Sequence, residues 1–506
     1  MNDPADMPAT AARTAGGDAA RTTAGRAHIV ERGAVFALVA VQAAILLSRI
    51  TSPFTEPAAY GRSCVNATIA RNFFEQGMHF LYPQLDYGPA PGYAALEFPL
   101  VPYMAAALYW LAGVHEWIGR GIPAAFGLGT TVVVWLIARE VTTHRAARIA
   151  AVAIMVLSPT FAFFSRVFQS DSVMVFFVVL ALWLLLRARR DESPRVFVAA
   201  CAACAVAMLL KPSSLVLLPA LALVCLSARR HGIARAMWLC GTTVVPVAAY
   251  YLFARTINTY PETLGLDAVV QRATFSRMLQ LTYDVQIAKD IVQAVTPAGI
   301  VALACGVALA LRRAERWFLV LWALGAAGLN LLFNEALSHH EYYQLIWVPL
   351  AALAAAITVE EASASPRLSD GMPRLAVLGV ALLLVAGSAA LSWRFLALRL
   401  TLPPAATQRL AAARLVEEHT PADAQVAVEE IDLLYYSHRR GWPYGRDTGE
   451  PISPEQIRGV AGRGVEFLLV SDPEGTLSDE ARRYLGEHAV LQARGERAML
   501  WRLARD

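Results

Sequence analysis

Charged side chains gather in the segment from Thr51 to Arg120, beside strongly apolar parts of the chain. Arg62, Asp86 and Glu97 are among them, so guanidinium and carboxylate groups are available next to apolar sequence. A carboxylate can accept the proton of a reacting hydroxyl, and a guanidinium offers a planar set of donors that matches a phosphate. Taken singly, each of these residues could also be a solvated loop charge. Their combination makes the segment the first candidate for a functional site.

Two further polar positions interrupt apolar sequence later in the chain. SRVFQSD at 165–171 joins two apolar runs and contains Arg166 and Asp171. Asp171 either caps the helix that starts at Ser172, or it is a functional carboxylate at the membrane surface that Arg166 orients. Lys211 stands between two apolar runs without a polar loop. There it either extends to lipid headgroups or meets a phosphate.

Histidine and tyrosine side chains cluster in HHEYYQ at 339–344. A metal site would need more ligands with converging spacing, and adjacent histidines rarely bind one ion together. His340, Tyr342 and Tyr343 are better suited to donate hydrogen bonds to a phosphate or a sugar hydroxyl. The sequence therefore predicts no metal held by this segment, and it leaves open whether a divalent cation assists.

The composition places these residues in a membrane protein. Of the 506 residues, 57% are hydrophobic and 17% are charged, whereas about a quarter of a soluble domain is charged. The net charge of +4 is small, and the basic residues lie in short clusters, which argues against a nucleic-acid partner. The cysteines lie mostly in apolar runs, so we expect neither a disulfide framework nor redox chemistry at Cys201 and Cys204.

Apolar runs are frequent, and the arginine clusters indicate which of them cross the membrane. The runs lie near 34–50, 98–113, 121–139, 146–163, 172–188, 195–210, 213–228, 235–254, 293–311, 316–333, 343–359 and 375–398. Basic residues concentrate on cytoplasmic loops. The later arginine clusters all fall on the cytoplasmic side only if the run from Phe98 to Gly113 lies along the outer interface, which suits its aromatic and proline residues. We therefore predict eleven crossings, with the N-terminus in the cytoplasm.

Three parts of the chain follow from this pattern. Residues 1–32 are polar and predict a disordered cytoplasmic tail. Residues 33–400 predict a polytopic α-helical membrane region whose first outer loop, 51–120, carries interfacial helices, one of them over ATIARNFFEQG. Residues 401–506 alternate helix-like and β-type runs, which predicts a small α/β domain on the outer face.

The order of these features resembles the GT-C superfamily of membrane glycosyltransferases, which includes the protein O-mannosyltransferases and the lipid A aminoarabinose transferase. The resemblance rests on IARNFFEQG after the first crossing, EFPL at 97–100, RAARIAAVAIMVLSP, Asp171, Lys211 and HEYYQL. It implies a GT-C-like fold and the transfer, usually with inversion, of a hexosyl or pentosyl sugar from a polyprenyl-phosphate carrier to an acceptor.

The resemblance also implies roles for single residues. Asp171 would be the carboxylate on the acceptor side, and Lys211, Arg166 and His340 would be candidates for binding the departing phosphate. One position departs from the family. Many members have an acid seven residues before the isoleucine of the loop helix, and this chain has Arg62 there.

Arg62 leaves three interpretations open. Glu97, Glu56 or Asp86 replaces the missing acid; or Arg62 binds the phosphate directly while Asp171 acts alone; or transferase activity has been lost. A rearranged site is the favoured hypothesis, because the change from an acid to an arginine is a change of role.

The leading functional hypothesis is a glycosyltransferase of the bacterial inner membrane. It would use a polyprenyl-phosphate sugar at the outer face and act on an envelope glycan, lipid or protein. A polytopic transporter is the alternative, although the apolar runs hold few ionisable groups. A non-catalytic relative in an envelope assembly complex is a third possibility. The expected partners are the bilayer, the lipid-linked donor and an envelope acceptor.

Overall fold

The computed structural model of the chain describes residues 29–55, 60–228, 230–259, 281–366, 372–401, 404–444, 451–471 and 473–504. Most of the predicted N-terminal tail lies outside these ranges, as does Glu56.

Helices dominate the chain up to residue 400. Their bounds are α1 Ile29–Leu47, α2 Tyr60–Gln76, α3 Leu100–Ala112, α4 Glu116–Val141, α5 Arg145–Leu157, α6 Pro159–Phe164, α7 Asp171–Asp191, α8 Pro194–Leu210, α9 Leu218–Leu226, α10 Gly232–Ile257, α11 Leu281–Ala310, α12 Trp317–Leu332, α13 Asn334–Ser338, α14 Trp347–Ala364 and α15 Met372–Arg399. Short 3₁₀ helices at Pro212–Leu217, Ala314–Arg316 and Glu341–Ile346 precede α9, α12 and α14.

Within the described residues, seven helices are long and apolar enough to cross a membrane. They are α1, α4, α7, α10, α11, α15, and α14 together with its preceding 3₁₀ helix. The other four predicted crossings coincide with shorter apolar helices: α5 with α6, α8, α9 with its 3₁₀ helix, and α12. The chain is therefore a multi-pass membrane protein, and the number of eleven crossings stays a prediction.

Helix α3 is short for a helix that crosses a bilayer. Its 13 residues span about 20 Å at 1.5 Å per residue, against an apolar core about 30 Å thick. Trp110 and Leu111 on it are 66% and 84% exposed, which suits side chains at the level of lipid headgroups. Its length agrees with the predicted interfacial helix.

Helix α11 begins earlier than the sequence predicts. The predicted apolar run starts near residue 293, but the helix already begins at Leu281. Its axis bends at Thr296, which has a φ of 65°, and Pro297 follows. Asp290 therefore lies on a helix with its side chain buried, and not in a loop.

A mixed five-stranded sheet with helices on both faces follows the last long helix. The bounds are α16 Pro404–His419, β1 Gln425–Val428, α17 Ile431–Ser437, β2 Arg440–Pro443, α18 Pro454–Ala461, β3 Phe467–Ser471, α19 Pro473–Thr476, α20 Asp479–His488, β4 Ala489–Arg494 and β5 Ala498–Leu503. The strand order is β2-β1-β3-β5-β4, with β1 parallel to β2 and β3, and β5 antiparallel to β3 and β4. We call residues 404–504 the C-terminal domain.

Alternate residues of the strands face two separate apolar cores. Val426 and Val428 of β1 pack with α16 and α17 on one face, whereas Ala427 packs with α18 and α20 on the other. The sequence does not predict β2 and β4. The first reads RGWP without apolar alternation, and the second is an edge strand whose residues are mostly exposed.

Candidate functional site

Lys211 lies at the centre of a buried group of charges. Helix α8 ends at Leu210, and the backbone of Lys211 is extended, with a φ of −148°. The ring of Pro212 disfavours the helical conformation for the residue that precedes it. Its side chain is 5% exposed, and its Nζ lies 2.7 Å from Glu97 Oε1 and 3.2 Å from Asp171 Oδ1. Two carboxylates from distant parts of the chain therefore share one ammonium group.

Glu97 reaches Lys211 from the segment that precedes α3. The Tyr250 hydroxyl of α10 donates a hydrogen bond to the backbone carbonyl of Glu97 at 2.9 Å, which fixes the main chain there. Arg62, in the first turn of α2, places its Nη1 3.4 Å from the same Oε1 that meets Lys211. We call Arg62, Glu97, Asp171 and Lys211 the charge cluster.

Asp171 is the first residue of α7, and its side chain is 3% exposed. The residue before it, Ser170, makes no side-chain cap to the helix. The sequence left open whether Asp171 is a helix cap or a functional carboxylate. Its ion pair with Lys211 brings it into the charge cluster, and the helix N-terminus further favours a negative charge at this position.

Tyr342 and Tyr343 cover the charge cluster with their rings. Lys211 Nζ lies 5.1 Å from the centroid of the Tyr342 ring and 5.3 Å from that of Tyr343, and the Arg62 guanidinium lies 5.7 Å from the Tyr342 ring. Cations are attracted to the faces of aromatic rings at such distances. His340 stacks on Tyr342 with a centroid distance of 5.2 Å. The buried Tyr342 hydroxyl has no hydrogen-bond partner among the described residues.

The electrostatics of the cluster keep Glu97 ionised. Burial by itself raises the pKa of this carboxyl, but Lys211 and Arg62 outweigh burial and hold the pKa of Glu97 below its ordinary value. A carboxylate with a lowered pKa is charged at neutral pH. Glu97 can therefore accept a hydrogen bond or a proton from a hydroxyl that approaches it.

A small, shallow cleft reaches the charge cluster from one side. Its lining residues are Arg62, Val65, Asn66, Ile69, Leu96, Glu97, Phe98, Pro99, Pro102 and Ser170. The polar residues of the wall are Arg62, Asn66, Glu97 and Ser170, and the side chains of Arg62 and Glu97 are 34% and 20% exposed. Lys211 and Asp171 do not line the cleft. A ligand in it would meet Arg62 and Glu97 first.

Arg166 is not brought to this group. Its Nη1 donates to the Ser48 hydroxyl at 3.1 Å and its Nη2 to the carbonyl oxygen of Arg49 at 3.4 Å, both at the end of α1. Its side chain is buried there and joins α1 to the segment before α7. The geometry favours a structural use of Arg166 over the predicted contact with phosphate.

Asp86, one of the predicted substitutes for the missing acid, also lies elsewhere. Its carboxylate pairs with Arg71 at 2.6 Å and lies 3.5 Å from Arg440 of the C-terminal domain. Glu56 lies outside the described residues. Of the two substitutes that the structure describes, Glu97 lies beside Lys211 and Asp86 does not.

Helix α2 differs from the predicted amphipathic helix resting on the membrane. Ile69 and Phe73 are buried as expected, but Arg71 and Asn72 are buried as well. The C-terminal domain covers this polar face, since Arg71 donates to the carbonyl oxygen of Tyr435 at 2.8 Å. The sequence of the helix could not reveal a cover supplied by residues so far along the chain.

Sequence reasoning missed three residues of the site. Ser170 and Asn66 line the cleft, and Tyr250 fixes the backbone of Glu97. Ser170 had a signal, because it precedes Asp171 directly. Tyr250 lies within an apolar run and had none. Among the described residues, no group of three or more His, Cys, Asp or Glu side chains could hold a metal ion, and the prediction that this site holds none stays a prediction.

Comparison with known proteins gives two kinds of similarity. Residues 95–253 match the sequence profile of the family described as dolichyl-phosphate-mannose-protein mannosyltransferase. A Bacillus subtilis (strain 168) protein named "Putative mannosyltransferase YkcB" is 31% identical over 125 residues, which is 24% of this chain and 17% of that protein. The matched part is thus a small fraction of that relative.

Solved structures resemble the chain over nearly its whole length. ArnT from Cupriavidus metallidurans bound to undecaprenyl phosphate superposes with a TM-score of 0.64 at 14% identity, covering 93% of this chain and 98% of ArnT. The Archaeoglobus fulgidus oligosaccharyltransferase tethered with an acceptor peptide gives a TM-score of 0.58 at 12% identity, covering 91% and 72%. At these identities the likeness establishes the fold. The fold and the sequence match confirm the resemblance to the GT-C superfamily.

Proposed function

We propose that this protein transfers a sugar from a polyprenyl-phosphate carrier to a hydroxyl group of a cell-envelope glycan, lipid or protein. One observation carries the proposal: Lys211 Nζ bridges Glu97 and Asp171 at 2.7 and 3.2 Å, and Arg62 stands beside them at a cleft. Glycosyl transfer requires a carboxylate for the acceptor proton and cations for the departing phosphate. The charge cluster supplies both kinds of group.

Glu97 is the proposed base. It lines the cleft through which a ligand reaches the cluster, whereas Asp171 is buried and does not line it. In this assignment Glu97 accepts the proton of the incoming hydroxyl, and Asp171 holds the ammonium group of Lys211 in place. The sequence had favoured Asp171 for the base, and the exposure of the two carboxylates reverses that preference.

Lys211, Arg62, Tyr342 and Tyr343 are the proposed phosphate-binding residues. Among the residues that the structure describes, Arg62 has one ion-pair contact, the 3.4 Å approach of Nη1 to Glu97, which leaves its other N–H groups able to donate to a phosphate. The hydroxyl of Tyr342, which has no partner in the described part of the chain, could donate a hydrogen bond to a phosphate oxygen. His340 would act through its stacking on Tyr342. Hydrogen bonds from these fixed side chains would thus replace some of the hydrogen bonds between the leaving phosphate and water.

The reaction balances with these groups alone. The acceptor oxygen forms a bond to the anomeric carbon, and its proton passes to Glu97. The bond from the anomeric carbon to the phosphate oxygen breaks, and the electron pair leaves with the polyprenyl phosphate. A displacement in one step inverts the anomeric centre, which is the outcome that the resemblance implies.

The relatives support the two substrates of this proposal. One carries undecaprenyl phosphate in its solved structure and another an acceptor peptide. A site at the outer face of the bacterial inner membrane, with the C-terminal domain outside, agrees with the arginine distribution along the chain. The sugar is expected to be a hexose or a pentose.

Transport is the alternative function. Its usual signs are charges or broken helices at mid-membrane that bind the cargo. Lys211 follows the end of α8, Asp171 begins α7 and Glu97 lies before α3, so the cluster sits where helices begin and end. This placement favours catalysis at one surface. A non-catalytic member of an assembly complex would not need an ionised carboxylate at the mouth of a cleft.

The test is sugar transfer by the purified full-length protein from radiolabelled undecaprenyl-phosphate sugars to membrane extract. Glu97→Gln should reduce the rate by about two orders of magnitude or more, the scale of a lost acid or base. Asp171→Asn should also reduce it strongly, because it removes one of the two carboxylates that hold Lys211. Glu75→Gln, on the exposed end of α2, is the matched control and should transfer at the wild-type rate. Wild-type rates in both site variants would refute the assignment.

A further inference from the structure

Asp86, in the first outer loop, is held by side chains from two other parts of the protein. Arg71 of α2 donates to its Oδ2 at 2.6 Å and Asn72 to its Oδ1 at 3.1 Å. Arg440 of β2 lies 3.5 Å from the same Oδ1. The side chains of Arg71 and Asp86 are only 5% and 7% exposed, so salt screens their attraction little. One carboxylate thus joins the loop, helix α2 and the C-terminal domain.

The loop around Asp86 also extends the sheet of the C-terminal domain. The backbone N–H of Gly441 donates to the carbonyl oxygen of Asp86 at 2.9 Å, and that of Gly88 donates to the carbonyl oxygen of Gly441 at 2.8 Å. The Arg440 guanidinium donates to the carbonyl oxygens of Leu85 and Gly88 at 2.9 and 3.0 Å. Backbone and side-chain hydrogen bonds therefore fasten the loop to the edge of β2.

Gly92 makes room for this arrangement. Its φ of 58° is one that residues with a Cβ rarely adopt, and a Cβ there would lie 2.5 Å from Arg440 Nη2 and 2.6 Å from the carbonyl oxygen of Leu85. The close approach of Arg440 to the loop thus depends on a glycine. A larger residue at this position would displace the guanidinium and the loop backbone at Leu85 without removing the charge of Arg440.

The C-terminal domain also holds helix α2. Arg71 donates to the carbonyl oxygen of Tyr435 at 2.8 Å and lies 2.9 Å from His438 Nδ1. Its guanidinium lies 4.8 Å from the centroid of the Tyr435 ring. The same helix carries Arg62, about 14 Å away at 1.5 Å per residue. A contact at Arg71 therefore fixes the direction in which α2 presents Arg62 to the cleft.

We propose that the C-terminal domain positions the charge cluster. Through Arg440 and Asp86 it fixes the loop that leads to Glu97, and through Arg71 it fixes the helix that carries Arg62. These contacts and the Tyr250 hydrogen bond hold the segment before α3 from two sides. The inference rests on the proposed function, because it assigns Arg62 to the phosphate of the carrier. Arg440, Asp86 and Arg71 are positioning residues that touch no substrate.

A double-mutant cycle on the full chain in detergent tests the proposal, with undecaprenyl phosphate as the probe and its Kd as the readout. Arg62→Ala should raise the Kd about tenfold, the scale of a lost hydrogen bond to a charged group. Arg440→Ala should raise it to a similar extent, because Arg440 and Arg71 hold the same Asp86 carboxylate, and loosening that contact misplaces the helix that carries Arg62. In the Arg62→Ala background, Arg440→Ala should change the Kd less than about twofold, because no guanidinium is left to misplace.

Non-additivity is what separates positioning from mere stabilisation. Two distant substitutions with independent effects add, so full additivity in a folded double variant would overturn the inference and leave the proposed function intact. An Arg62→Ala variant with the wild-type Kd would overturn the assignment of phosphate to Arg62, and the inference with it. A folded Arg440→Ala variant with the wild-type Kd would overturn the inference alone.

Two further variants serve as a control and as a replacement for Arg440→Ala. Arg458→Ala breaks an exposed ion pair with Glu455 in the same domain and should leave the Kd unchanged. If Arg440→Ala does not fold, Gly92→Ala takes its place in the cycle, because it displaces the same guanidinium with its charge intact. The same less-than-twofold change in the Arg62→Ala background supports the inference, and additivity overturns it.

Discussion

Lys211 and Glu97 form an ion pair of 2.7 Å between the corner that follows α8 and the loop that precedes α3. The same ammonium group lies 3.2 Å from Asp171, which is almost completely buried. Each carboxylate therefore depends on Lys211 for the balance of its charge, while Arg62 adds a second cation on the side of Glu97. The stability, pH dependence and ligand affinity of the protein should all reflect this arrangement.

Lys211→Met should destabilise the protein by about 3–5 kcal/mol at neutral pH, because breaking a buried ion pair leaves its partners without compensation. Thermal unfolding in detergent, followed by tryptophan fluorescence, measures the change. Part of the lost stability should return as the pH falls, since protonation of one carboxyl relieves the repulsion between Glu97 and Asp171. Lys289→Met, at an exposed position of α11, is the control. An unchanged Tm for Lys211→Met would contradict the arrangement.

The rate of transfer should fall on the acid side only at a pH below the ordinary pKa of glutamate. Burial raises the pKa of Glu97, but Lys211 and Arg62 outweigh it and hold the pKa below the ordinary glutamate value. The proposed base therefore stays ionised as the pH falls through the usual range for glutamate, and kcat/KM should fall only at lower pH. Arg62→Ala removes one of the two cations, so its acid limb should move to higher pH. If the acid limb of kcat/KM does not move in Arg62→Ala, a group other than Glu97 is responsible for it.

Tyr342→Phe separates ligand binding from stability. The hydroxyl is buried without a partner among the described residues, so its removal should leave the Tm unchanged or raise it. If this hydroxyl donates to the phosphate, the Kd for undecaprenyl phosphate should rise about tenfold. Tyr109→Phe removes another buried hydroxyl without a described partner and should leave the Kd unchanged. Equal Kd values for the two variants would show that Tyr342 has no role in binding.

The topology is open to a direct test. Helix α3 is expected to lie along the outer interface, so a reporter inserted after Gly113 should be extracytoplasmic. One inserted after His144, between α4 and α5, should be cytoplasmic, because α4 crosses the membrane between them. The test uses a pair of enzymes that are active on opposite sides of the membrane. A cytoplasmic Gly113 reporter would show that α3 crosses and would invert every later helix.

The sequence was sufficient for the class of the fold and for most members of the site. Apolar runs and arginine clusters are properties of short windows, so they predict membrane helices and their orientation without knowledge of packing. The short length of α3 agrees with the interfacial placement that those arginines required. Asp171, Lys211 and Glu97 could be singled out because ionisable residues beside apolar sequence are rare unless they are used.

The sequence could not decide which of these residues meet. Arg166 lies five residues from Asp171 along the chain, yet it binds the end of α1, whereas Lys211 joins Asp171 to Glu97. The sequence also could not show which residue replaces the missing acid, that Asp171 is buried, or that Arg440 binds the first outer loop. Each depends on the packing of helices distant in sequence, since an ion pair requires its atoms within about 4 Å. Composition therefore determined that this chain is a membrane protein with acids and cations at helix ends, and tertiary packing alone decided which acid faces the cleft.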